Sequence, residues 1–578
     1  MKKQFRALTL LLVLLLALSS FFGCVQQQRL SEADLAFLAL DREYGIYMLM
    51  DDPSSIVQFM TKPEDYGIDL SEVEMHLGRF SLDNQAQWYA DMRDFSVRLQ
   101  EIDASKLSAQ NKIAYATMEQ ELADELIAAE KDYDIYYEPL VPYVGMQSNL
   151  PLTFAIWELD DVDDIEIYMV LLRDVPAFLE NILEWEQLRA DAGIFMTEHA
   201  LDGILDDLGE TIKAKDANAL LSHFDDCVNA MADLSDEQKA EYIAVHRKVV
   251  VNDYNAAFIA LRDGLETLRP KCREPLGALA SGDEKYMAYF MDRTRITTGY
   301  NFDLDEAYAQ LEDGMTRWIS LYRGAIDQSD DLFEFRMDGV SEAADELREM
   351  TYTFLPALQT HSVNYVNVPK ELEEQFSPAA YLIPPIDDWF RNTVLVNKPD
   401  EDETLFFTMA HEAYPGHLYQ YNYQRALDLP LSQDLFHLSA YAEAWSQYGE
   451  YLAAKHTDRF PNKAALRYHL YSTFDTLFFA TLSIEVNGFG YSAKDLMEVY
   501  ADYEMDLETW EEFYQICVDM PFYHMPYAFG YANMILLQNE YQTKAGLKYN
   551  ESKFLTAFLD LGPTYFHILR PALLASLD

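Results

Sequence analysis

Residues Thr404 to Leu418 read TLFFTMAHEAYPGHL, a run with helical apolar spacing that places His411, Glu412 and His417 within seven residues. Two imidazoles flanking a carboxylate suit a hydrolytic zinc, which takes neutral nitrogen ligands at about 2.0–2.1 Å and needs a base beside its water. The common spacing is H-E-x-x-H, which puts both histidines on one helix face, one turn apart. Here the second histidine comes two positions late. Six residues of regular α-helix rotate a side chain by about 240° and raise it by roughly 9 Å, so an unbroken helix does not let His411 and His417 share a small ion. Pro415 has no N–H to return to the carbonyl of His411, and Gly416 accepts backbone angles closed to other residues. That pair is where two extra residues can be looped out, returning His417 to the place of the second ligand. The plain alternative is a helix that stops at Tyr414 in a Pro-Gly turn, with two unrelated histidines.

Downstream, Phe436 to Ala454 reads as a helix, FHLSAYAEAWSQYGEYLAA. Glu443, Gln447 and Glu450 share one face, and Ala440, Ala442 and Ala444 let another helix approach closely. A metal with two histidines from one helix commonly takes its third ligand from a second, and a carboxylate suits hydrolysis. Glu443 is the candidate, with Glu450 in reserve. Upstream, Tyr381 to Pro399 is the best strand candidate of the second half: Arg391 to Asn397 has the β-branched run of a strand, leading to the acidic start of the motif helix at Glu401, Asp402 and Glu403. Such a strand is a natural edge for an extended peptide, the plain alternative being a structural hairpin. Near the end, Tyr523 to Tyr531 puts His524, Tyr527 and Tyr531 at the start of a helix running to about Lys544. A phenol or imidazole there is a candidate donor to a developing oxyanion.

The chain has 578 residues, half of them hydrophobic, enough for a large core and more than one domain. Its 98 acidic against 43 basic residues give a formal charge of -55, a field that repels nucleic acid and anionic membrane surfaces and favours cationic peptides. Met1 to Cys24 is a targeting segment: Lys2, Lys3 and Arg6 precede an apolar run too short for a comfortable span, and Gly23-Cys24 ends it. Gly followed by Cys there resembles a bacterial lipoprotein cleavage site with a lipidated Cys24, but Phe21 and Phe22 are not the small residues such a site usually carries, and ordinary secretion is the alternative. Cys227, Cys272 and Cys517 are too few and too widely spaced for a disulfide framework and suit buried small hydrophobes.

Ser31 to Asp34 forms a capping box opening a helix that Pro53 closes. Helical periodicity continues through Gln85–Ile102, Ser108–Lys131, Val162–Ala192, Ser235–Leu268 and Asp303–Ile326. Asp134 to Glu158 reads as an extended, aromatic connection. His76, His199, His223 and His246 are scattered singly and read as structural. Broken periodicity at Ser281–Tyr300 suggests a boundary.

His411-Glu-Ala-Tyr-Pro-Gly-His417, Glu443-Ala-Trp445, Val486-Asn487-Gly-Phe-Gly490 and Pro526-Tyr-Ala-Phe-Gly-Tyr531 together resemble the bacterial domain-of-unknown-function 885 family. Many members of that family are exported lipoproteins regarded as zinc-peptidase-like, and it is similar in turn to the helical oligopeptidases of the gluzincin class. The resemblance implies zinc on His411, His417 and Glu443, Glu412 as base, and Tyr531 or Tyr527 at the oxyanion. Two departures stand out. Leu418 replaces a second histidine frequent after the motif, and Ala444 replaces a frequent Gly.

The expected protein is mainly α, a large helical gluzincin-like peptidase fold with a small β element beside the metal helix and a deep cleft. Residues 1–24 would be the signal segment, 25–290 an N-terminal helical region and 291–578 the catalytic region. Its expected activity is zinc-dependent peptide hydrolysis at the outer face of the cytoplasmic membrane, with peptides as partners and membrane contact only through the lipid on Cys24. Hydrolysis of a non-peptide amide or ester, and peptide binding without turnover, are the competing readings.

Overall fold

Helices form here where a capping residue precedes a periodic apolar run. Ser31 accepts from Asp34 N–H at 2.9 Å while Asp34 accepts from Ser31 N–H at 3.0 Å, and the helix Glu32–Asp51 follows. The computed structural model describes residues 30–299, 303–325, 335–359, 361–373, 376–400, 402–460 and 463–577. The segment from Met1 to Cys24, and Glu401, lie outside them.

The chain is mainly helical, with helices at Leu82–Gln100, Ala109–Glu130, Val162–Asp191 and Leu304–Ala325 where periodicity places them. The long run from Ser235 is two helices, Asp236–Lys248 and Asn255–Leu268, joined by a π-helical turn at Val249–Tyr254. Two expectations need correction. Asp134 to Glu158 is not extended throughout, because Met146–Ala155 forms a helix with Pro151 inside it. The turns before that helix pack on Val162–Asp191, where Arg189 and Trp185 donate to the carbonyls of Ile135 and Tyr137. Ser281–Tyr300 is also helical over Glu284–Thr298, capped by Asp283, so residue 290 lies mid-helix. The buried cores part earlier: one ends at Leu268, and the core holding the motif begins at Ala278.

Three strands form one small sheet: β1 (Ser362–Asn367), β2 (Ala379–Leu382) and β3 (Arg391–Val396), in the order β1-β3-β2. β3 pairs parallel with β1 and antiparallel with β2. The strand expected from its β-branched residues exists, but both its edges are taken. Among the described residues the open edge beside the motif helix belongs to β2 instead.

Cys517 is buried, whereas Cys227 and Cys272 are only half-buried, and all three are free thiols. Among the described residues no helix is long and apolar enough to cross a membrane.

Candidate metal centre

The motif helix, Leu405–Glu412, is anchored by its apolar residues Leu405, Phe406, Phe407, Met409 and Ala410, all buried. Asp402 braces its start, accepting from Thr404 N–H at 2.7 Å and from the hydroxyls of Thr404 and Thr408 at 2.8 and 2.7 Å. The helix stops at Glu412, and a second one, His417–Arg425, begins after a bulge that crosses a cis Tyr414–Pro415 peptide bond. Gly416 N–H donates to Ala410 O at 3.0 Å and Tyr419 N–H to Ala413 O at 3.2 Å. Each bond spans six residues rather than four, so two residues are inserted. The bulge leaves no room for a side chain: a Cβ on Gly416 would lie 1.7 Å from His411 O. The rings of His411 and His417 consequently come together edge to face, their centroids 4.9 Å apart.

One further helix, Ser439–His456, completes the arrangement. Glu443 Oε2 lies 3.4 Å from His411 Nε2 and 3.8 Å from His417 Nε2. Two ligands about 2.1 Å from a tetrahedral ion are about 3.4 Å apart, so these three side chains fit zinc. Their ligand atoms all fall within 4.8 Å of one another. Two residues on, Trp445 Nε1 donates to Pro415 O at 2.7 Å and clamps the bulge. A turn later Glu450 Oε1 lies 2.8 Å from His411 Nδ1, which leaves Nε2 as the atom facing Glu443. Glu450 thus orients His411 and stands outside the group formed by His411, His417 and Glu443. The helix Met525–Ala545 packs along this one so closely that a Cβ on Gly530 would meet Ala440 O at 2.3 Å, which accounts for the glycine in Pro526 to Tyr531.

The carboxylates favour positive charge between them. Burial opposes protonation of His411, but Glu443 and Glu450 outweigh it and raise its pKa well above the usual histidine value. Burial dominates at His417 and holds it down, in the neutral form a metal ligand needs. Burial also works against charge on Glu443 and Glu450, yet their histidine partners keep both carboxyls below the ordinary range.

A cavity of about 480 Å³ opens over these groups, and His411, Glu412, His417, Glu443, Glu450 and Tyr527 all line it. Burial and the facing Glu443 carboxylate raise the Tyr527 phenol, so it stays a proton donor. Tyr531 lies elsewhere: buried behind the centre, 3.0 Å from His469 Nε2, with His469 Nδ1 in turn 3.4 Å from Glu450 Oε2. His524 stacks on Phe479, and burial pushes its pKa down to about 4. Sequence reasoning missed His437, which lines the cavity with Nδ1 3.1 Å from the Tyr421 hydroxyl. A lone histidine before a helix carries no spacing signal. Val486 to Gly490 lies at a junction, where Asn487 Oδ1 accepts from Ala278 N–H and its Nδ2 donates to Cys517 O.

Residues 64–573 match the model of a family described as bacterial protein of unknown function, DUF885. The chain belongs to that family. A proposed lipoprotein from Colwellia psychrerythraea shares the fold at a TM-score of 0.81 and 15% identity, over 94% of this chain and 99% of that one. A second proposed lipoprotein of unknown function, from Shewanella oneidensis, aligns at a TM-score of 0.54 and 14% identity, covering 86% of this chain and 93% of its own. No functionally curated protein matches the chain.

Proposed function

We propose that this DUF885 protein is a zinc-dependent peptidase with a gluzincin-like active site, exported and held by a lipid on Cys24 at the outer face of the cytoplasmic membrane. The observation that carries the reading is the convergence of ligand atoms of His411, His417 and Glu443 within 4.8 Å of one another, with Glu412 in the same cavity. The chemistry zinc supplies in a three-ligand site is an acidified water and an electrophile for a carbonyl oxygen. Glu412 would take the proton from the attacking water and pass it to the departing amine. The Tyr527 phenol would donate to the oxyanion. An extended peptide would lie along the open edge of β2.

Elemental analysis of the purified protein, followed by digestion of a peptide library with and without chelator, tests this. One zinc per chain and chelator-sensitive cleavage are expected. Metal-free protein would defeat the reading, and metal without peptide cleavage would move the activity to another amide or ester, or to binding alone.

The two tyrosines separate cleanly. Tyr527→Phe removes only a hydroxyl from the cavity wall and should lower kcat by about 10²-fold. Tyr531→Phe should leave kcat within about threefold, its cost falling on stability through the lost bond to buried His469. Steady-state kinetics on both variants decides between them, and equal losses of kcat would refute the assignment.

A further inference from the structure

Alternate residues of β2 turn their backbone groups away from β3. Asn397 N–H donates to Pro378 O at 2.8 Å, and the register pairs Ala380 with Leu395 and Tyr381 with Val394. Pro378, Ala380 and Leu382 therefore face the ladder, while the N–H and C=O of Ala379 and Tyr381 point to the open edge. Tyr381 N–H is already engaged there, donating to Glu412 Oε2 at 2.7 Å. Among the described residues this is the hydrogen bond that holds the Glu412 carboxylate. Glu412 is the last residue of its helix, where the macrodipole disfavours an anion, and a glutamate carboxylate otherwise has broad rotational freedom.

Tyr381 is itself braced. Its buried hydroxyl donates to Asn392 Oδ1 at 2.6 Å, and Asn422 Nδ2 donates to that same Oδ1 at 2.6 Å and to the Tyr381 hydroxyl at 3.2 Å. Asn422 stands on the helix that begins with His417. The peptide N–H that grips Glu412 is thus locked to the element carrying the second histidine.

We propose that the backbone N–H of Tyr381 is a positioning group: it fixes Glu412 with Oε1 free as proton acceptor and ties the base to the helix that bears His417. The proposal rests on the peptidase reading for its kinetic consequence. A charge-assisted bond of this kind gives the carboxylate one orientation, which a side-chain mutation elsewhere in the cavity would not supply.

Stop-codon suppression with the α-hydroxy analogue of tyrosine at position 381 replaces the amide by an ester, which removes this N–H and weakens only the Ala380 carbonyl as an acceptor in the ladder. The expected result is a kcat lower by roughly 10- to 100-fold, with KM within about threefold and metal content unchanged. The same ester at Tyr549, whose N–H donates to Gly546 O at 3.1 Å and which does not line the cavity, should spare kcat. Wild-type kcat in the position-381 ester, or equal losses at 549 and 381, would overturn the proposal. A second arm needs no substrate. Hydrogen exchange of the segment holding β2 should speed up in Glu412→Ala and stay slow in Glu412→Gln, which keeps an acceptor oxygen. Unchanged exchange in Glu412→Ala overturns the positioning role, whereas a wild-type protein that cleaves no peptide fails the peptidase reading alone.

Discussion

A Glu412→Gln protein is expected to hold its full complement of metal and to lose peptide hydrolysis by about 10²- to 10⁴-fold. Glutamine matches glutamate in shape, and its carbonyl oxygen can still accept the N–H of Tyr381 now 2.7 Å from Glu412 Oε2. None of the three proposed ligands changes, so the affinity set by His411, His417 and Glu443 should persist. What disappears is a group able to accept a proton from water. Elemental analysis and single-turnover kinetics on the same preparation read both quantities. Hydrolysis at the wild-type rate would remove Glu412 from the mechanism, and loss of metal would mean that Glu412 supports the ion directly.

The second large effect is structural. Gly416→Ala puts a methyl where His411 O stands at 1.7 Å and Ala410 O at 2.5 Å, both backbone atoms. No rotamer relieves that contact, so the bulge must open and carry His417 away from His411. The expected outcome is failure to retain metal through dialysis, absence of peptide hydrolysis, and a stability loss of about 3 kcal/mol or more. Gly449→Ala is the matched control. Its new methyl would meet Gly416 Cα at 3.3 Å and Pro415 Cγ at 3.4 Å, a contact that a few tenths of an ångström resolve. That variant should keep its metal. Full metal retention by Gly416→Ala would show that the spacing between the histidines does not depend on the tight bulge.

Much of this centre was legible beforehand because the bulge announces itself chemically. A proline with no N–H next to a glycine, between two histidines six apart, has few structural readings. The approach of Glu443 to both histidines was legible from its place on the next long helix, where Glu450 shares its face. Glu450 was harder: it lies two turns along the same face, and periodicity does not tell a ligand from the group that orients one. Tyr527 and Tyr531 posed the same problem, four residues apart on one helix, and only the depth of each relative to His469 separates them. β2 was legible only at Tyr381, since AAYL is too short to alternate and holds no β-branched residue, whereas β3 carries Thr393, Val394 and Val396. The helix through residues 284–298 was obscured by its mixed polar and aromatic face. Long N-terminal helices were plain because capping residues and apolar period agree there.

The helix Ser439–His456 supplies Glu443, the Trp445 clamp on Pro415 and the Glu450 carboxylate on His411, and it passes Gly416 at Gly449. Those contributions travel together on one rigid rod. A substitution that shifts this helix would therefore disturb the Glu443, Trp445 and Glu450 contacts at once rather than one at a time.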